Sequence, residues 1–286
     1  MNVGTINDLK ITILCDNVIS NLHGVGEHGF AAFIETERGN YLFDTGSGLG
    51  IMENARIFKK DVGSINALFL SHGHYDHTGG LPQVVEAAGP LDVYGHPAIF
   101  DKKFTVSSVD GQDIRRFIGM PHRRFMIESK GASFRLDRQF QEVAEGIYLT
   151  GEIPRLTPFE TVDPKFAVKR GDLFSHDAVV DDQALVFSTA KGVVVLLGCA
   201  HSGIINTLSH VSAMLGTETF FAVIGGTHLG FCSTGQLEES IEALKRLAIG
   251  QIGLCHCTGI DAFFRLRNEL GNRCFYASVG TSIGTE

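Results

Sequence analysis

The sequence predicts an α/β protein, a four-layer sandwich assembled from two halves that each combine mixed sheet with helix. Three features predict it: apolar segments alternating with glycine-rich turns in the first third, a strand–loop–helix–strand passage after them, and a second half in which strands and amphipathic helices take turns.

In chain order, Lys10–Cys15, Phe30–Thr36, Tyr41–Phe43 and Ala67–Leu70 read as strands, a meander that leads into an inner strand. Gly79-Gly80-Leu81 opens a helix that runs to Ala88, and Leu91–Tyr94 follows as a strand, the order of a parallel crossover. From about Ile99 to Glu145 the rhythm breaks, and Lys102, Lys103, Arg115, Arg116, His122, Arg123 and Arg124 crowd among few long apolar runs. This stretch, at about 99–145, is expected to be an insertion or lid on a single domain spanning 1–286: either a solvated surface or an anion-attracting cover over the site. Strands return at Ala184–Ser188, Val193–Leu197, Phe220–Ile224 and Gln251–Leu254. Between the last three lie two helices. Ile204, Leu208, Val211 and Leu215 share a face of the first; Leu237, Ile241 and Leu244 share a face of the second, with Ser233 and Gln236 spaced as a capping box.

The 286 residues are 44% hydrophobic and 20% charged, ordinary for a globular protein. A net charge of −8 gives no reason to expect nucleic acid or an acidic membrane as partner, although a local basic patch could hold an anionic small molecule. No apolar run approaches the roughly 20 residues of a membrane span, and the start Met1-Asn2-Val3-Gly4 lacks the regions of a signal peptide. The cytoplasm is the expected location, and nothing in the sequence speaks to oligomeric state. Cys15, Cys199, Cys232, Cys255, Cys257 and Cys274 are too sparse for a disulfide scaffold and are expected to be reduced thiols, with Cys255 and Cys257 as packing residues.

The chemistry concentrates where the strand Leu68-Phe69-Leu70-Ser71 runs into His72-Gly73-His74-Tyr75-Asp76-His77-Thr78-Gly79-Gly80. In extended backbone, residues two apart project to one side, so His72 and His74 can converge on one ion. The chain then turns, as Gly73 and Gly79-Gly80 permit, and brings Asp76 and His77 toward a second. Three imidazoles and a carboxylate suit two divalent metal ions, zinc first, with iron or manganese as alternatives.

His72-x-His74-x-Asp76-His77 after an apolar strand resembles the signature of the metallo-β-lactamase superfamily, and Asp44-Thr45-Gly46 after Tyr41-Leu42-Phe43 resembles the segment that precedes it there. The resemblance implies an αβ/βα four-layer sandwich with two mixed sheets. It also implies further ligands from later strand ends: His201 to complete the first site with His72 and His74, and His256 to join Asp76 and His77. His228, in Gly225-Gly226-Thr227-His228-Leu229, could bind metal, meet substrate or stabilise a turn. Where many members carry a bridging Gly-Asp, this chain has Gly198-Cys199; Cys199 could ligate or pack, and Asp181 or Asp182 could substitute. Asp44 either orients a ligating imidazole or stabilises its turn. His23, His28, His96 and His122 are weaker candidates for substrate contact.

Together with Glu27-His28-Gly29, Gly198-Cys199-Ala200-His201 and His256-Cys257-Thr258-Gly259, these motifs are similar to those of one branch, the dihydropterin-ribofuranosylaminobenzene phosphate synthases. The expected function is a metal-dependent enzyme acting on a phosphorylated or pterin-like small molecule. In a hydrolase, a metal-bound hydroxide would attack, with Asp76 orienting it and His228 stabilising developing charge. In a synthase of that branch, the ions would hold a diphosphate leaving group while an aromatic acceptor attacks. A catalytically silent metal- or pterin-binding sensor and a di-iron oxidoreductase are the alternatives; His74, where the oxidoreductases of this fold carry Glu, argues against the latter.

Overall fold

Apolar alternation resolves into strands nearly where the sequence places them. The structure, a computed structural model, describes residues 4–285 apart from the side chain of Val109. The first half holds β1 (Leu9–Cys15), β2 (Ala31–Thr36), β3 (Gly39–Phe43), α1 (Ile51–Ile57), β4 (Ile65–Phe69), the single turn α2 (Tyr75–Thr78), α3 (Leu81–Ala88) and β5 (Leu91–Gly95). A less regular stretch carries β6 (Lys102–Val109), β7 (Gln112–Phe117), α4 (Arg124–Glu128), β8 (Ala132–Leu136), β9 (Gln141–Ala144), β10 (Ile147–Leu149), β11 (Phe166–Arg170) and β12 (Leu173–His176). The chain closes with β13 (Ala184–Thr189), β14 (Gly192–Leu197), α5 (Ile204–Leu215), β15 (Thr219–Gly225), α6 (Thr234–Arg246), β16 (Ala248–Leu254), α7 (Ile260–Leu270), β17 (Cys274–Tyr276) and β18 (Ser282–Gly284).

Two seven-stranded mixed sheets result, ordered β18-β1-β2-β3-β4-β5-β8 and β17-β16-β15-β14-β13-β10-β9. In each, one side is antiparallel and the other parallel: β3, β4, β5 and β8 run together, as do β14 to β17. Parallel strands need both faces covered, and their sequences are continuously apolar for that reason. In β14, Val193, Val195 and Leu197 face α5, α6 and α7, while Val194 and Leu196 meet Phe43, Phe69 and Ile13 of the other sheet. A third apolar cluster joins the outer face of the first sheet, through Leu68 and Val93, to Ile51 of α1 and Val84 of α3. Three apolar layers between four structural layers make the sandwich.

The sequence did not foretell a third sheet, a small antiparallel one ordered β12-β11-β6-β7. Its strands alternate exposed polar and aromatic residues, a pattern that pairing stabilises only once two distant hairpins meet. The stretch 99–145 therefore divides: β6 and β7 enter the small sheet, β8 pairs with β5, and β9 pairs with β10. All six cysteines are free, five of them buried. No helix among the described residues is long and apolar enough to cross a membrane.

Both long helices after β14 and β15 are capped, by different means. Ser233 caps α6 by accepting from the Gln236 amide, as expected, but the Gln236 side chain turns away and accepts from Thr161 instead of completing the box. Gly203 at the start of α5 has no side chain to cap with, so Glu160 does it from afar, its two oxygens accepting from the Ile205 and Asn206 amides at 2.8 Å each. Burial nevertheless pushes the Glu160 carboxyl up to about 7, against the pull of those amides. A group bound more tightly to its proton in the folded chain stabilises it below the free value and loses that contribution as pH rises. Between about pH 4.5 and 7, stability should fall by at most roughly 3 kcal/mol from this group, at about 1.4 kcal/mol per unit. Glu160→Gln should flatten that slope in urea titrations at several pH values; an unaltered slope would show that the carboxyl stays ionised.

Candidate metal centre

The parallel strands of both sheets end at one rim, and the polar side chains of the site gather there. The loop after β4 carries His72 and His74, α2 carries Asp76 and His77, and the loops after β14, β15 and β16 carry His201, His228 and His256. The passage after β4 is tight. A Cβ on Gly73 would lie 2.2 Å from the Ile99 carbonyl oxygen, and one on Gly198 would lie 2.2 Å from Ser71 Oγ, so neither position admits a side chain. Ala200, His228 and His256 take left-handed backbone, with φ of 52°, 54° and 49°. Each such residue costs on the order of 1 kcal/mol or more and persists only where neighbours over-determine it. At His256 the Asp16 carboxylate does so, accepting its amide at 2.6 Å.

Hydrogen bonds on the outer edges settle which nitrogen of each ring carries hydrogen. Asp44 accepts from the Ser71 amide at 2.7 Å, from Ser71 Oγ at 2.6 Å and from His77 Nδ1 at 2.7 Å. With its hydroxyl hydrogen given to Asp44, Ser71 Oγ accepts from His72 Nδ1 at 2.8 Å. His256 Nδ1 donates to Asn17 Oδ1 at 2.9 Å. The Nε2 atoms of His72, His77 and His256 are therefore bare, and all three turn inward.

Inside, they crowd. His77 Nε2 lies 3.2 Å from His256 Nε2, and His72 Nε2 lies 3.3 Å from His201 Nε2 and 2.9 Å from His74 Nδ1. His74 Nε2 is buried with no partner among the described residues. Facing lone pairs repel unless positive charge lies between them. Metal–nitrogen bonds of about 2.0–2.1 Å at a tetrahedral angle place two nitrogens roughly 3.4 Å apart, so these separations are those of a coordination edge. The donor set fits divalent cations in two groups: His72, His74 and His201 in one, and in the other Asp76 and His256, with His28 and His77 beside them, Asp76 Oδ2 lying 3.5 Å from His256 Nε2 and 4.0 Å from His77 Nε2.

The electrostatics agree. Burial first, and neighbouring imidazoles next, hold His72, His201 and His256 well below the ordinary imidazole range, while burial takes His74 down to about 3 and His228 to about 4. Neutral rings are the form that ligates. Burial opposes charge at His77, but the Asp44 and Asp76 carboxylates outweigh it and lift that ring. Burial likewise opposes charge at Asp76, yet His77, a hydrogen bond from His28 and the other imidazoles hold the carboxyl below its usual range.

Every residue singled out as a ligand from the sequence thus reaches the rim. His228 belongs to neither converging set; its ring lies 4.4 Å from that of His201 and its amide donates to Cys257 Sγ at 3.2 Å, which puts it on the wall of the cleft. Asp181 and Asp182 are also outside both sets. Asp181 accepts from Lys103 at 2.7 Å and from the Gly73 amide at 2.8 Å, and Asp182 accepts from the Ser202 amide at 2.7 Å, so each shapes a loop instead of reaching the centre. His28, a weak candidate in the sequence, stands 3.2 Å from Asp76 Oδ2. Asn17 gave no signal at all: it accepts from His256, 239 residues away, and its amide nitrogen lies 3.3 Å from His28 Nδ1.

Above the centre opens a cleft of about 340 Å³. One wall is formed by the small sheet, with Thr105, Arg116 and Phe166, and by Asp163 and Lys165 just before β11, so two cations, a carboxylate and an aromatic ring face the histidines. Phe166 lies 5.4 Å from His74, 5.3 Å from His201 and 5.8 Å from His228, between ring centroids. Buried Lys103 of β6, paired with Asp177 and Asp181, ties this wall to the His72–His74 loop.

A model of the metallo-beta-lactamase superfamily matches residues 24–202. A protein of Methanocaldococcus jannaschii named 7,8-dihydropterin-6-methyl-4-(beta-D-ribofuranosyl)-aminobenzene-5'-phosphate synthase is 30% identical over 275 residues, which is 92% of this chain and 92% of its own. An uncharacterized protein of the same organism is 31% identical over 275 residues, 96% of this chain and 99% of its own. Among solved structures, a crystal structure of a metal-dependent hydrolase of the beta-lactamase superfamily superposes with a TM-score of 0.81 at 28% identity, covering 96% of this chain and 98% of that one.

Because Asp44 fixes the His77 tautomer, Asp44→Asn should weaken retention of a divalent cation by about 10–100-fold, read by competition with a chromophoric chelator. Unchanged affinity in the folded variant would mean that His77 is oriented by something else.

Proposed function

The chain belongs to the metallo-beta-lactamase superfamily, and from that footing we propose that it is a metal-dependent enzyme acting on an anionic small molecule, phosphorylated or pterin-like. The observation that carries the proposal is the pairing of bare, inward-facing imidazole nitrogens with a cleft whose opposite wall offers Arg116, Lys165 and Phe166. A neutral substrate would leave those two cations without a purpose at the mouth. The synthase name of the 30% identical relative supports the phosphorylated, pterin-like class, and the hydrolase name of the superposing structure supports a cleavage step on the same scaffold.

Two divalent cations, zinc foremost, held by His72, His74 and His201 and by Asp76, His77 and His256, would lower the pKa of water and neutralise phosphoryl oxygens. The residues around them divide the remaining work. Arg116 and Lys165 draw in the anionic end of the substrate from their wall of the cleft. Phe166 packs over the histidines and keeps bulk water off them. Asp76, held ionised by its imidazole neighbours, orients the attacking group. His228, kept neutral by burial, offers an N–H to negative charge as it develops without itself drawing in a proton at pH 7. Water as the acceptor makes the outcome hydrolysis; an aromatic acceptor makes it group transfer with loss of diphosphate. We assign transfer as the principal reaction, since the relative named a synthase matches over nearly the whole of both chains.

Elemental analysis of the purified protein should find close to two divalent ions per chain. A screen against phosphodiesters, and against a pterin diphosphate with an aromatic amine acceptor, should find turnover in the second set. Tight ligand binding without turnover in either would instead mark a sensor. Asp76→Ala should lower turnover by about 10²–10⁴-fold with the far-ultraviolet circular dichroism intact; full activity would remove Asp76 from the reaction. His228→Ala should lose turnover while retaining metal, and loss of an ion would make His228 a ligand.

A further inference from the structure

The cleft does not end at His228. Beyond that ring it continues into a second compartment of about 190 Å³, and Asp163, His201, His228 and Phe231 line both. The two differ in charge. Arg116 and Lys165 face the first, whereas no lysine or arginine among the described residues lines the second, whose walls include Val162, Pro164 and Gln236. Phe231 stands at the junction, its ring centroid 5.0 Å from that of His228, and is nevertheless 62% exposed. An aromatic ring left open beside a cavity is a stacking face. Asp163 Oδ1 accepts from the Lys165 amide at 2.9 Å, which leaves Oδ2 as an acceptor for a ligand. Gln236 offers the opposite. Its Oε1 accepts from the Thr161 amide at 3.4 Å and the Thr161 hydroxyl at 3.2 Å, so its Nε2 hydrogens are left to donate.

We propose that the second compartment holds the neutral ring of the substrate: a planar nitrogen heterocycle stacked on Phe231, with adjacent N–H donors on Asp163 and an acceptor on Gln236. The inference rests on the substrate class proposed above and adds the residues that select it. Negative charge is disfavoured there, since a carboxylate stands at the entrance and no lysine or arginine lines the inside. A bare hydrocarbon is disfavoured too, because it would strip water from Asp163 and Gln236 and return no hydrogen bond. What remains is a flat, uncharged ring with donors and acceptors on its edge. The amide fused to an amidine in pterins and in guanine is such an edge, an N–H and an amino group side by side for one carboxylate. The two compartments then orient the substrate. Its anion lies toward Arg116 and Lys165, its ring lies past His228, and the bond between them lies at the histidines that both compartments share.

Isothermal titration calorimetry on the purified full-length protein tests this with hydroxymethylpterin, with guanosine, and with lumazine, a pteridine that carries a carbonyl in place of the amino group. Hydroxymethylpterin should bind about 10–100-fold more tightly than lumazine. Guanosine shares the edge but not the ring, so the tighter of the two identifies the source of the heterocycle, and either supports the compartment. Asp163→Asn keeps an oxygen for the Lys165 amide but turns an N–H toward the ring, so it should weaken pterin binding by about 10–100-fold without weakening that of lumazine. Phe231→Ala, at an exposed position, should weaken both by about 10-fold. Inorganic pyrophosphate should leave the pterin bound, because it goes to the basic wall. The inference would be overturned by the absence of saturable pterin or guanosine binding, by an Asp163→Asn variant that binds pterin as before or loses pterin and lumazine equally, or by displacement of pterin with pyrophosphate. With metal content and turnover retained, such a result removes only the seat of the ring; loss of both in the wild-type protein would remove the proposed function itself.

Discussion

The Asp44 carboxylate is the constraint from which the rest of the site follows. It ends β3 in left-handed backbone, at φ 59°, and accepts three hydrogen bonds from two other segments: the amide and hydroxyl of Ser71 beyond β4, and Nδ1 of His77 in α2. A fully buried carboxylate with three donors is satisfied in place, whereas removal of any partner would leave charge in an apolar surround. Through Ser71 it also sets His72, so one residue fixes the tautomer of a ring in each cation group. The strained backbone is stabilised by what it positions.

Charge in the centre is arranged as a demand for cations. Burial keeps His72, His74, His201 and His256 neutral, the neighbouring imidazoles hold Asp76 ionised, and the one ring drawn toward a proton, His77, stands between the Asp44 and Asp76 carboxylates. A proton there and a metal ion there answer the same field. The overall charge of −8 hides this, and it hides equally the basic wall of the cleft, because a mean over the whole chain says nothing about a local potential. Lys103 shows how the two are joined. It is buried under the small sheet, and its pairing with Asp181 reaches the Gly73 amide within the histidine loop. A displacement of the wall therefore reaches the loop through two short polar contacts.

Much of the fold was legible in the chain because burial on both faces writes continuous apolar runs, and β4, β14, β15 and β16 are such runs. Strand ends followed from those runs to within a residue or two at most of the boundaries. The small sheet was not legible, since β6 and β7 have mixed polarity and their hairpin meets that of β11 and β12, through the pairing of β6 with β11, only after about fifty residues of intervening chain. The cap of α5 was hidden for a like reason. Its position in the sequence holds Gly203, and the carboxylate that does the capping is Glu160, 45 residues before the Ile205 amide it accepts from.

The sequence by itself determined the donor types and the strand ends that present them, because His-x-His-x-Asp-His after an apolar strand has one geometric sense: two side chains on one side of an extended segment, then a turn that delivers two more. It determined the layered class for a similar reason, periodicity being a local property of the chain. Only the tertiary structure decided which nitrogen of each ring faces inward, that Asn17 holds His256, that His228 stands on the wall and that Cys199 comes between the two groups. Those are matters of contact between residues tens to hundreds of positions apart, and no local pattern records a distance in space.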